Sequence, residues 1–146
     1  RDQLLRQIDA DTMAVGAVNS TICGISSGKM NFGVFSLPNA AAIDAAVGVL
    51  VKCTNALPYT VTLTQGNSAA YALRRMGYAP NKIDYNIFRD AARTQVWGDG
   101  TGGSFIVAGT GNGLQQWLVA YGRIPAAQAA INPGTYTDTL YAYVNY

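Results

Sequence analysis

Histidine and glutamate are both missing from this 146-residue chain, so all eight acidic residues are aspartates. Without histidine the commonest general base and the commonest metal ligand are gone. That excludes Ser-His-Asp and Cys-His nucleophile systems and every His-containing metal site. Two cysteines alone cannot build a structural zinc site. A pair of aspartates is what remains for catalysis, and most aspartates sit in turn contexts: Arg89-Asp90, Gly98-Asp99-Gly100 and Ile43-Asp44. Asp9 and Asp11 would share one face of a strand, with nothing nearby to raise a pKa. The expectation is a protein that is not an enzyme and uses no metal or cofactor.

Charge is scarce as well. Only 12% of residues are charged and the net charge is +2, too small and scattered to argue for nucleic acid or an anionic membrane. Arg74-Arg75 is the one adjacent basic pair, and it reads as a solvated strand face. No apolar run approaches the roughly 18 residues a membrane helix needs; Asp44 interrupts the longest candidate, Ala40 to Val51. Membrane insertion is therefore not expected. Arg1 is not an initiator methionine and no signal peptide follows it, so the chain reads as the processed form of an exported protein.

What is present is a chain of one domain's length, 49% hydrophobic and rich in Thr, Gly, Ala and Asn, a profile that suits an exported all-β domain. Cys23 and Cys53 form an even pair that reads as a single disulfide between two early strands, two reduced buried thiols being the alternative. In the chain-entropy picture, closing a loop of about 30 residues contributes roughly 3.7 kcal/mol. Strand patterns recur at short intervals: Met30 to Phe35, Val47 to Cys53, Tyr59 to Thr64, Tyr71 to Met76, Ile83 to Phe88, Phe105 to Val107 and Trp117 to Ile124. Ala40 to Ala46 reads as a small-residue connection with room for one helical turn. The glycine-rich stretch Gly98 to Gly103 lacks the Gly-Lys-Ser/Thr of a phosphate loop and reads as a turn. Many short strands with Gly/Pro turns predict a β-sandwich.

The most informative strand pattern is the last one. Gly134 to Tyr146 alternates Tyr136/Leu140/Ala142/Val144/Tyr146 against Thr135/Thr137/Thr139/Tyr141/Tyr143/Asn145. A strand so long and apolar, with none after it, needs a neighbour on each side or leaves an edge that pairs with another chain. About twenty residues before Cys23 also contain a strand-like stretch. One strand is missing and another is spare, as in a subunit completed by its neighbour.

Four segments carry a family likeness: Asp84 to Thr94 (DYNIFRDAART), Val96 to Gly102 (VWGDGTG), Tyr121 to Gln128 (YGRIPAAQ) and Pro133 to Thr139 (PGTYTDT). In this order they closely resemble the spore coat U domain, the fold of subunits of archaic chaperone–usher pili. The resemblance runs from about Cys23 to Tyr146 and places Cys23 and Cys53 where that family has its disulfide. It implies an N-terminal extension, residues 1–22, and an incomplete immunoglobulin-like β-sandwich, residues 23–146, lacking its final strand. A periplasmic chaperone would lend a strand to the groove beside Tyr136, Leu140, Ala142, Val144 and Tyr146. An outer-membrane usher would then exchange it for the N-terminal strand of the next identical subunit, by β-augmentation. The donor would lie within Ile8 to Val18, with Met13, Val15 and Ala17 as plugs. Ile8, Ala10, Ala14 and Val18 form the competing register, since a one-residue slip exchanges the two faces. Residues Arg1 to Asp9, with Leu4, Leu5 and Ile8 at helix-like spacing, read as a short amphipathic turn or tail, or as an extra contact between subunits.

The expected function is a structural subunit, of the shaft rather than the tip, of an extracellular fibre that grows head to tail and supports attachment and biofilm. Two rivals stand beside it: a spore-coat or cell-surface matrix protein of the same family, and a secreted glycan-binding module using Trp97, Trp117, Tyr141 and Tyr143.

Overall fold

Cys23 and Cys53 stand directly opposite one another on neighbouring strands in the computed structural model, and their sulfurs are bonded. The structure describes residues 3–4, 21–78 and 80–146. Nine strands are formed among them: β1 (Gln3–Leu4), β2 (Cys23–Ser27), β3 (Ile43–Cys53), β4 (Pro58–Leu63), β5 (Arg74–Tyr78), β6 (Asn81–Phe88), β7 (Val107–Thr110), β8 (Gln115–Ile124) and β9 (Ala142–Asn145). They make two antiparallel sheets, a five-stranded one in the order β2-β3-β8-β6-β5 and a four-stranded one in the order β1-β9-β4-β7.

The sheets face each other as an immunoglobulin-like β-sandwich, and alternation in the strands supplies the core. Tyr59, Val61 and Leu63 of β4 point inward, as do Val49, Val51 and Cys53 of β3. Val51 and Ile124 from one sheet and Val61 and Val144 from the other are completely buried. Trp97, also completely buried, donates its indole N–H to the Val61 carbonyl at 2.9 Å, which satisfies the one polar atom of the largest core residue. Among the described residues no helix is long and apolar enough to cross a membrane.

Several sequence expectations are corrected. Met30 to Phe35 is not a strand: Gly33 has φ +83°, which breaks the extended backbone. Met30, Phe32 and Phe35 instead pack against the core from a loop, Phe32 meeting Tyr85 edge-on at 6.2 Å. Ala40 to Ala46 forms no helical turn, because β3 already begins at Ile43. Asn39 pins that start, its amide donating to the carbonyls of Ala41 and Pro125 and its carbonyl accepting from the Gln128 N–H. Arg74-Arg75 is only half solvated: Arg75 is exposed and paired with Asp84 at 3.0 Å, while Arg74 is completely buried.

The largest correction concerns the last strand. Regular pairing covers only Ala142–Asn145, not Gly134 to Tyr146. Upstream, Thr137 exchanges two backbone hydrogen bonds with Gly77 of β5, at 2.8 and 3.1 Å. β5 belongs to the five-stranded sheet and β9 to the four-stranded one. The continuous alternation in the sequence thus belongs to a segment that crosses from one sheet to the other.

Candidate functional site

The crossing segment is fastened at its turning point. Asp138 accepts from the Tyr85 hydroxyl at 2.6 Å, from the Asn67 N–H at 3.1 Å and from the Thr139 N–H at 2.9 Å. Burial, and then the bond to Asp138, push the Tyr85 hydroxyl far above the ordinary phenol range, so it stays a donor at any physiological pH. Three residues on, Tyr141 donates its N–H to the Thr64 hydroxyl at 2.9 Å and accepts from the Thr64 N–H at 3.1 Å. The chain is thereby delivered to the start of β9 at a fixed register.

β9 is laddered fully on one edge only. Against β4 it pairs Ala142 with Leu63, Tyr143 with Thr62, Val144 with Val61 and Asn145 with Thr60. On the other edge it meets only two residues, Gln3 opposite Asn145 and Leu4 opposite Val144. Of the five residues expected to line the acceptor groove, Val144 is completely buried, while Tyr136, Leu140, Ala142 and Tyr146 are half-buried against the core. Their alternate spacing keeps one apolar face inward on both sides of the sheet crossing.

Facing β9 across the sandwich is β2, an edge strand of the five-stranded sheet. Between them opens a cleft of about 120 Å³ lined by Ile25, Ser26 and Ser27 on one wall and Leu140, Tyr141 and Ala142 on the other. The cleft lies between two sheet edges, with apolar Ile25, Leu140 and Ala142 beside Ser26, Ser27 and Tyr141, so an added strand would find backbone edges and an apolar seat for alternate side chains. The residues expected to donate such a strand (Ile8, Met13, Val15, Ala17 and Val18) lie outside the described residues, as do Asp9 and Asp11.

Arg74 was invisible to sequence reasoning as a structural residue. Its guanidinium donates to the Thr64 carbonyl at 2.7 and 3.2 Å, to the Trp97 carbonyl at 2.7 Å and to the Asn86 side-chain carbonyl at 2.9 Å. It also lies 5.4 Å from the centre of the Tyr71 ring. Burial lowers its pKa below the usual arginine value. Fixed partners on three separate segments make it a brace behind the crossing, since Thr64 is also the residue that holds Tyr141.

The aromatic set weighed for glycan binding does not converge. Trp97 is in the core. Trp117 is 66% exposed and lies over Gly48, where an added Cβ would sit 2.7 Å from the indole ring. It projects from the outer face of the five-stranded sheet, opposite Leu50, whereas Tyr143 stands beside Thr62 in the other sheet. Among the described residues no group of three His, Cys, Asp or Glu side chains comes together to hold a metal.

Comparison with known proteins gives two findings. The sequence model of the Spore Coat Protein U domain family matches residues 9–142. Among solved structures, the fold is similar to a chain in the crystal structure of the CsuC–CsuE chaperone–tip adhesion subunit pre-assembly complex from the archaic chaperone–usher Csu pili of Acinetobacter baumannii. The TM-score is 0.61 at 23% identity, over 87% of this chain and 40% of that one, so this chain spans less than half the length of the solved chain. A search of curated proteins finds no match.

Proposed function

The chain belongs to the Spore Coat Protein U domain family, and from that premise we propose that it is a structural subunit of an extracellular chaperone–usher fibre, polymerising by donor-strand exchange. The observation that carries this reading is the edge of β9, which has one complete ladder and one that stops after two residues, beside a cleft that opens toward the edge strand β2. The strand that fills it comes from residues 8–18 of the next subunit, with Met13, Val15 and Ala17 seated over Leu140, Ala142 and Val144.

Each subunit then presents a groove and a strand at different places on its surface, a heterologous contact that generates an open fibre rather than a closed ring. Before assembly the same groove is a seat for a periplasmic chaperone, a role supported by the fold likeness to a chain from a chaperone–subunit complex, and an outer-membrane usher exchanges one strand for the other. The fibre is displayed outside the cell and supports attachment and biofilm.

The test is a denaturing gel of the purified protein, unboiled beside boiled, with a second version lacking residues 1–18. A ladder that collapses to one band of about 15.4 kDa on boiling, and never forms without the tail, is the expected result. A single monomer band in every lane, from folded protein, would sink the reading.

A further inference from the structure

We propose that residues Gln3–Leu4 cap the acceptor edge of their own subunit, holding the groove in a self-closed state that a donor strand from a second copy must displace. The proposal rests on the polymerisation reading above and names the segment that competes with it. The observation is the antiparallel register Gln3 opposite Asn145 and Leu4 opposite Val144, made within one chain.

Chain length separates a strand that can act within the subunit from one that cannot. β2 runs antiparallel to β9. Ile22 is bonded to Thr54, whose turn leads into β4 at the Asn145 end, while Ile25, Ser26 and Ser27 face Leu140, Tyr141 and Ala142 at the other end. A strand antiparallel to β9 therefore leaves the groove at the end away from Cys23. From Leu4 the chain has residues 5–22 to return, a reach of about 60 Å at about 3.3 Å per residue, which is ample. A donor occupying residues 8–18 in the same sense would extend about 36 Å and leave only residues 19–22, about 13 Å of chain, to come back. That longer strand can reach only another subunit's groove. The short cap acts in cis and the long donor in trans.

Concentration favours the cap until the longer strand is engaged. A segment joined to its site through the same chain acts at an effective concentration that can reach the order of 1 mM. A free subunit at about 1 μM competes at a disadvantage of up to roughly a thousandfold, which only a longer run of contacts overcomes. The cap thus delays premature polymerisation without matching the strength of the final joint.

A pair of cysteines tests this directly, Gln3→Cys with Asn145→Cys in the full chain. Opposed Cβ atoms in an antiparallel pair lie about 4.5–5.5 Å apart, close enough for a disulfide with small adjustment. The only two native cysteines are already bonded to each other, so the new thiols report alone. Oxidised at low micromolar concentration, the variant should form an intrachain link at monomer size, fail to ladder, and recover laddering when reduced. Links found only between chains, or two thiols that stay free, would overturn the cap. Removing residues 1–5 from the otherwise native chain should shorten the lag before laddering about tenfold or more, and an unchanged or longer lag would count against the proposal. If the intrachain link forms yet the reduced protein and the native chain never ladder, the cap stands and the polymer reading is what fails.

Discussion

The two sheets of this sandwich are finished to different degrees. In the five-stranded sheet, β3 and β8 pair without a break from Ile43 opposite Ile124 to Lys52 opposite Gln115, and β2 is stapled to β3 by the disulfide. In the four-stranded sheet, β9 is a four-residue strand whose outer neighbour supplies two residues. Yet both sheets contribute completely buried side chains to one core. The difference shows that a well-packed core and an incompletely laddered strand can share a domain: the long β3–β8 ladder and the core hold the fold, while the outer edge of β9 is paired at two residues only.

The largest effect should come from breaking what the two sheets share. Trp97→Ala removes the biggest buried side chain and should cost about 4 kcal/mol, read as a shift in the urea midpoint with both sheets lost together. Arg74→Met takes the guanidinium donor from the carbonyls of Thr64 and Trp97 and leaves the Asn86 side-chain carbonyl with the Ile87 N–H alone, and should cost about 3 kcal/mol. Separate transitions for the two sheets would break the one-core account.

Cys23→Ala with Cys53→Ala should cost about 3 kcal/mol through the unfolded chain, since it frees a sequence separation of 30 residues. Tyr85→Phe is smaller, about 1.5 kcal/mol for a hydrogen bond to a carboxylate. It sharpens the contrast: amide exchange should quicken across 137–145 while β3 and β8 keep their protection. Uniform quickening would show that the crossing is not a separate unit.

The smallest effect is electrostatic. Arg123 donates two hydrogen bonds to Asp44, at 2.7 and 2.9 Å, and holds its carboxyl below the usual range. A depressed folded-state value means stability that is present above about pH 4 and lost as pH falls through the folded value. Both side chains are more than a third exposed, so solvent screening keeps the contribution small. Asp44→Asn should slightly flatten the acid limb of the stability curve; an unchanged limb would remove the pair from the account.

Much of this was legible in residue order because it depends on local alternation. Tyr59, Val61 and Leu63 announce β4's inner face, and Val47 to Cys53 announces the body of β3. Tyr136, Leu140, Ala142, Val144 and Tyr146 were legible as one inward face for the same reason. The sheet crossing within them was not, because it is set by Gly77, Tyr85 and Thr64, all remote in sequence. Arg74 was read as solvated for a related cause: its burial depends on carbonyl partners that the fold alone assembles. Gly33 broke an apolar run whose composition favoured a strand, since periodicity does not register a single left-handed residue.

The most direct test of head-to-tail completion separates the two halves of the joint. One version lacks residues 1–18 and offers only a groove; the other keeps the tail but carries Ala142→Trp, which fills the cleft beside Leu140. Each should run as a monomer alone on an unboiled gel, and their mixture should give a single dimer band that disappears on boiling. A mixture that stays monomeric, with both versions folded by circular dichroism, would contradict strand donation between subunits.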